Sequence, residues 1–484
     1  MSEPSPASSA PEAQGKDLLP RGAGADGSSR SASTIEPTAA APREVDWLLV
    51  DADWVVTCDD SMRCIRSGAV ALDGDTIVSV GAADRLRRLF RGRREMSLAG
   101  FLLLPGLVNT HTHAAMTCFR GLGSDLPLRE WLFDVIFPAE RAVVNPDFVY
   151  HGTLLASVEM LLNGVTTFCD GYFFEGEAAR AALEAGIRAV LGQGVLDFPT
   201  PDQPDPARAR ESVEAFLEAF PTGAGGRLRP SLFCHSPYTC GPDTLRWVKA
   251  VCREREILFQ IHLSETAPEV EALTRERGER PVAYLDRLGI LDEKTLCAHA
   301  VWVDSAEIEL LAARGATISH NAESNMKLAS GVADVPRFLE AGCRVGLGTD
   351  GCASNNDLDL FSEMGRVARL HKVFRQDPVV SSAEQVLRMA TRDGAETLGW
   401  GAALGRLEAG AKADLAAVDL NQPHLTPLFD PISHIVYAMR GSDVRHVWVD
   451  GRLVVESGRV LTVSVADVLR EAKRLAGKVK AALK

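Results

Sequence analysis

The chain has 484 residues, 46% of them hydrophobic and 24% charged, enough for two or three domains or for one barrel with an accessory domain. Its 52 basic against 65 acidic side chains leave a net charge of −13, which argues against nucleic acid or an anionic membrane as the main partner. The ten cysteines form no C-x-x-C pair, and Cys169, Cys234, Cys297 and Cys343 lie in apolar runs, as reduced, buried thiols do. No stretch reaches the roughly 18 uncharged apolar residues of a membrane span, so a cytoplasmic protein is expected.

In chain order, residues 1–44 are rich in Ser, Ala, Pro and Gly and lack the basic-then-apolar pattern of a signal peptide; they read as a disordered tail. Residues 45–103 contain "VDWLLVDADWVVTCDD" and "SGAVALDGDTIVSVG", short strands with turn chemistry between them. Residues 405–463 repeat that texture in "GAKADLAAVDL" and "VRHVWVDGRLVVESGRV", so both terminal segments are expected to build one small β-sandwich domain. A helix over 464–484 closes the chain. Between them, over 104–404, apolar strand-like runs alternate with amphipathic helical stretches such as "DTLRWVKAVCRERE". That alternation implies α/β architecture with parallel strands, and enough units are present to close a (β/α)₈ TIM barrel.

Within the barrel region, apolar runs end again and again in His, Glu or Asp. The C-terminal strand ends of a barrel share one face, so residues scattered over about 240 positions can meet there. His111 and His113, in "LLLPGLVNTHTHAAM", are two apart, and on an extended strand both side chains point to one side. "QIHLSE" adds His262 and Glu265, "CAHAV" adds His299 and "GLGTDG" adds Asp350. His111, His113, His262 and Asp350 suit one zinc-like ion with an open position for water, whose pKa such an ion lowers to about 7. Glu265 is then placed to shuttle protons, and His299 to orient or polarise the substrate or the nucleophile. Zn²⁺ is the expected ion, with Fe²⁺ and Mn²⁺ compatible with the same donors. The only lysine between His113 and His262 is Lys249, in a charged helical pattern, so a bridged two-metal site lacks its bridge and one ion per chain is expected.

The motifs "PGLVNTHTHAAM", "LPLREWL", "HSPYTC", "IHLSET", "SHNAESNMKL" and "GTDGCASNN" resemble the amidohydrolase superfamily. Within it the chain is similar to the 5′-methylthioadenosine/S-adenosylhomocysteine deaminases, near the triazine hydrolases, over roughly residues 46–460. Carried over position by position, the resemblance implies that His111, His113, His262 and Asp350 hold the metal, Glu265 shuttles protons and His299 assists. It further implies that Glu140 holds the ribose hydroxyls, that His235 contacts substrate alongside Glu265 and Asp350, and that Trp131 walls the nucleoside pocket. The implied reaction is hydrolytic deamination of an adenine ring at C6: Glu265 protonates a ring nitrogen and then the departing amine, and Asp350 takes a proton from the water. The implied partner is a small nucleoside; a homo-oligomer is compatible with the sequence.

Two positions depart from the family pattern. Ala322 stands where members often have proline. Gln193 stands near an arginine that helps some members hold the amino-acid end of S-adenosylhomocysteine, a role that Arg208 or Arg210 can compensate. Taken singly, Glu140 reads as an exposed carboxylate at a helix start, His235 as a buried strand-end histidine and Asp350 as a turn residue. Two other functions stand beside the deaminase. One is an amidohydrolase acting on another heterocycle, a triazine among them, against which Glu140 speaks. The other is a non-catalytic scaffold, against which the complete ligand set speaks.

Overall fold

The structure, a computed structural model, describes residues 41–220 and 226–483. Most of the tail expected over residues 1–44 lies outside the described residues, and Arg43 and Glu44 open the first strand. Strands β1 (Arg43–Val56), β2 (Cys64–Asp73), β3 (Thr76–Ala82), β4 (Phe90–Ser97) and β5 (Phe101–Pro105) come first. The barrel strands follow: β6 (Leu107–Thr112), β7 (Val165–Tyr172), β8 (Arg188–Val195), β9 (Leu228–Cys234), β10 (Leu258–Leu263), β11 (Thr295–His299), β12 (Thr317–His320) and β13 (Val345–Leu347). Strands β14 (Leu415–Asp419), β15 (Val444–Val449), β16 (Arg452–Glu456) and β17 (Arg459–Val460) complete the set.

The strands from both terminal segments join in one sheet, ordered β17-β16-β15-β14-β5-β1-β2-β3, with β4 added to β1. The seam between the two segments is the antiparallel pairing of β5 with β14, in which Leu103 faces Ala417. The sheet is mixed, because β1 runs parallel to both β4 and β5. It curls on itself: Trp47 of β1 meets Trp448 of β15 edge to face at 6.1 Å, over a core that includes Leu49, Val70, Leu103 and Leu415.

Strands β6 to β13 are parallel and pair in chain order. With helices outside and side chains inside, such strands are apolar along their whole length, and every residue of β7 is buried. The ring closes between its last and first strands. The Asn109 side chain donates to Thr349 Oγ1 (2.8 Å) and accepts from the Thr349 N–H (3.0 Å), and the Asp350 N–H donates to the His111 carbonyl (3.0 Å). Barrel closure and site assembly therefore use the same backbone.

Sheet and barrel meet at Gly106, between β5 and β6, where a Cβ would sit only 2.1 Å from Thr166 Oγ1; no other residue fits that crossing. Arg188 of β8 locks the junction, giving two hydrogen bonds to Asp414 (2.9 and 3.0 Å) and one to Asp450. The helix Val465–Ala482, N-capped by Ser464, lies on the barrel with Arg474 paired to Asp147 at 2.7 Å. No helix among the described residues is long and apolar enough to cross a membrane. All ten cysteines are free thiols.

Candidate active site

The sequence-selected residues converge. His111 is the penultimate residue of β6 with His113 just beyond the strand; His262 lies in β10, His299 ends β11, and Asp350 follows β13. All are at the C-terminal mouth of the barrel. Backbone strain gathers there: Ser264, His299 and Asp350 hold positive φ angles of 49°, 71° and 61°, which non-glycine residues adopt at a cost and which recur at functional sites.

Three imidazoles, His111, His113 and His262, bring their nitrogens together, with His111 Nε2 and His262 Nε2 3.2 Å apart. Asp350 Oδ1 is 3.6 Å from His111 Nε2 and 3.3 Å from His113 Nε2. A tetrahedral ion with bonds of about 2.05 Å holds its ligands roughly 3.3 Å apart, so the donor spacing fits a divalent metal. The donors are also in the correct state. Burial, reinforced by the neighbouring imidazoles, holds His111 and His262 well below the usual histidine range, which leaves them neutral. His113 Nδ1 lies 2.6 Å from the Gly171 carbonyl and donates to it, which turns the Nε2 lone pair toward the site.

His299 belongs to a second possible cluster with His111 and Asp350, but its partners give it a different state. The amide nitrogens of Asn325 (2.9 Å) and Asn321 (3.4 Å) both face His299 Nδ1. An Nδ1 that accepts from these amides carries its proton on Nε2, so that His299 faces the site with a donor.

The two carboxyls at the mouth are pushed apart. Burial raises the Asp350 carboxyl, but the imidazoles of His113, His299 and His111, with the Ser324 hydroxyl, overcome it and hold the group far below its ordinary value. Its Oδ2 accepts from Ser324 Oγ (2.7 Å) and Ser354 Oγ (2.8 Å), and Oδ1 from the Gly351 N–H (2.8 Å). Glu265 accepts from Ser330 Oγ at 3.4 Å, with His299 Nε2 3.9 Å from its other oxygen; burial first, then the charge of Asp350, pushes it up to about 8.

Glu140, Trp131 and His235 line the same cavity. Trp131 begins a π-helical turn, Trp131–Ile136, that continues into the helix Phe137–Val143 and carries Glu140 over the mouth. The expectation of an exposed helix-start carboxylate does not hold: Glu140 is 5% exposed. Its Oε1 accepts from the Tyr172 hydroxyl at 2.6 Å, and burial raises it to about 7 while that hydroxyl pulls it down. His235 Nδ1 faces Thr239 Oγ1 at 3.0 Å, and burial lowers its pKa to about 3. Tyr172, Ser330 and Ser354 escaped the sequence reading; Tyr172 alone carried a signal, at the end of an apolar run in "CDGYFF".

The remaining candidates lie elsewhere. Lys249 sits in the helix Pro242–Glu254 and donates to Asp292 (2.5 Å) and Thr295 Oγ1 (2.8 Å), outside the cavity. Gln193 donates to Asp202 at 2.7 Å, Arg208 pairs with Glu211 at 2.7 Å, and Arg210 stacks 4.5 Å from the Trp247 ring. None of these three lines the cavity. Ala322 opens the short helix Ala322–Lys327, which presents Ser324 and Asn325 to the site.

Residues 102–454 match the model of the amidohydrolase family. A 5-methylthioadenosine/S-adenosylhomocysteine deaminase of Syntrophobacter fumaroxidans is 47% identical over 435 residues, 90% of this chain and 98% of that protein. The crystal structure of an adenosine deaminase from Xanthomonas campestris with bound zinc superposes with a TM-score of 0.89 at 34% identity, covering 91% of this chain and all of that one. An atrazine chlorohydrolase from Arthrobacter aurescens, complexed with zinc, shares the fold at 24% identity and a TM-score of 0.82, covering 89% of this chain and 100% of its own.

Proposed function

The chain belongs to the amidohydrolase family, hydrolases of C–N bonds, and on that premise we propose that it deaminates an adenine nucleoside to the hypoxanthine analogue and ammonia. The observation that carries the reading is one cavity lined by His113, His262 and Asp350 of the donor set, with His111 against them, and by Glu140, a buried carboxylate with no cation partner among the described residues. One Glu140 oxygen is engaged by Tyr172, and the remaining acceptor capacity suits the two vicinal hydroxyls of a ribose. A triazine has no such diol, so nothing in the cavity favours that substrate. A scaffold protein has no use for a complete donor set.

The residues proposed to hold the ion are His111, His113, His262 and Asp350, and Zn²⁺ is the ion proposed. When bound, a divalent ion there supplies a water molecule that is acidic at neutral pH. Asp350, kept ionised, accepts a proton from the attacking water. Glu265, kept protonated by its surroundings, donates to a ring nitrogen and then carries a proton to the amine. The new bond is O–C6, the broken bond is C6–N, and ammonia leaves. His299 donates its Nε2 proton to hold the oxygen on its attacking line, while Trp131 and His235 flank the nucleoside.

The test is ultraviolet absorbance with methylthioadenosine, 5′-deoxyadenosine, adenosine and a chlorotriazine. An adenine-to-hypoxanthine change with at least one nucleoside is expected. Turnover of the triazine alone would refute the proposal.

A further inference from the structure

We infer that this chain selects nucleosides with an uncharged, apolar 5′ substituent, through a cation-free wall formed by Phe137, Phe173 and Leu196. The inference rests on the adenine-nucleoside reading and narrows it. In that reading the Glu140–Tyr172 pair marks the ribose end of the cavity, over β7. The cavity continues there along the ends of β7, β8 and β9, where Phe173 and Leu196 line it beside His235, with Phe137 above them from the helix that carries Glu140.

Among the described residues, no lysine or arginine lines the cavity; its ionisable carboxyls are Glu140, Glu265 and Asp350. The cations on the loop after β8 turn away from it. Arg208 is committed to Glu211, and Arg210 lies on Trp247 in a separate surface hollow with Asp197 and Asp243. Arg129 and Lys327 border an adjoining hollow that shares Leu128, Leu132, Tyr238 and Leu328 with the cavity and is built with segments that follow β6, β9, β10, β11 and β12; Phe137, Phe173 and Leu196 take no part in it. Lys327 is further held by the Ala353 carbonyl at 3.1 Å.

An amino-acid tail at the 5′ position brings a carboxylate and an ammonium. The carboxylate would meet acids and aromatic rings, with no cation to replace its water, and an unpaired buried charge is strongly disfavoured. A methyl, methylthio or alkylthio group instead buries apolar surface against apolar surface.

The experiment compares kcat/KM for 5′-deoxyadenosine, methylthioadenosine, 5′-butylthioadenosine and S-adenosylhomocysteine. The butylthio compound approximates the length of the amino-acid tail without its charges. The first three are expected within about tenfold of one another and the last about 100-fold lower, chiefly through KM. S-adenosylhomocysteine within tenfold of methylthioadenosine would overturn the inference. So would a butylthio compound as poor as S-adenosylhomocysteine, because length rather than charge would then set the limit. A folded Leu196→Arg variant is expected to narrow the gap at least tenfold, and an unchanged gap would remove Leu196 from the wall. If neither these four nor adenosine is deaminated, the deaminase reading itself fails, which is a separate result; turnover of adenosine alone would overturn the inference and leave that reading standing.

Discussion

Glu140→Gln tests the ribose assignment most directly. The substitution keeps shape and burial but removes charge and replaces one acceptor oxygen with a donor. In the native site Oε1 already accepts from Tyr172 at 2.6 Å, and no cation among the described residues shares the carboxylate. Two ribose hydroxyls would add two charge-assisted hydrogen bonds of about 1.5–3 kcal/mol each, against about 0.5–1.5 kcal/mol for neutral ones. Weakening one and losing the other costs about 2–4 kcal/mol, or roughly 30- to 1000-fold in kcat/KM. The assay pairs methylthioadenosine with its 2′,3′-dideoxy analogue on wild type and variant. Removing the hydroxyls and removing the carboxylate delete the same contact, so the second deletion is expected to cost little once the first is made. Equal losses from Glu140→Gln on both substrates would mean that the carboxylate acts on something other than the diol. Metal content, measured in the same preparations, separates this from general damage.

Further tests address the other roles. Glu265→Gln is expected to bind metal as wild type does and to lose about 10²–10⁴-fold in kcat, read from metal analysis beside turnover; wild-type rates would show the proton shuttle is misassigned. Metal analysis is expected to return one ion per chain, since Lys249 is bound to Asp292 away from the cavity; removal by a chelator should abolish activity and divalent ion should restore it. In Tyr172→Phe the hydroxyl that lowers Glu140 is gone, so its pKa rises above about 7. Because the ionised form binds substrate, kcat/KM rises with pH through that value, and the limb should move to higher pH; an unmoved limb assigns it to another group. Arg188→Leu strands Asp414 and Asp450 at the junction of sheet and barrel, and should destabilise the fold by about 3–5 kcal/mol, measured by the urea midpoint. Wild-type stability would show that the junction does not depend on this cluster.

Residues that end barrel strands were legible because apolar runs announce strands and a polar residue at the end of a run stands out. His111, His262, His299 and Asp350 were all found that way, and the alternation of runs with amphipathic helices gave the barrel. The partners that tune them were not legible, because each contact joins loops from different strands. Tyr172 and Glu140 are 32 residues apart, Asn325 and His299 are 26, and neither pair belongs to a periodic pattern. Glu140 was the hardest case: beside "ERAVVNPD" it has the local look of a solvated helix start, and only the π-helical turn before it swings that face over the cavity. The seam of β5 with β14 was legible as texture but not as register, since it joins strands more than 300 residues apart.

Composition names two carboxyls at the barrel mouth but cannot say which is acid and which is base; their surroundings can. Asp350 and Glu265 share one cavity, and burial opposes charge on both. Asp350 receives two hydroxyl hydrogen bonds and one backbone N–H, each favouring the ionised form. Glu265 receives a single long hydrogen bond from Ser330 and lies under the negative charge that Asp350 keeps. The ionisation of one therefore enforces the protonation of the other, as required when one group takes a proton from water and the other delivers one to nitrogen. The serines are part of that division. Replacing Ser324 and Ser354 with alanine removes two donors that keep Asp350 charged, but Asp350 starts so far below Glu265 that it is still ionised where Glu265 titrates, and its repulsion of a charged Glu265 remains. The acid limb of kcat should then move to higher pH as Asp350 becomes harder to ionise, while the basic limb set by Glu265 stays near pH 8. A basic limb that falls with the substitution would show that the serines act on Glu265 as well.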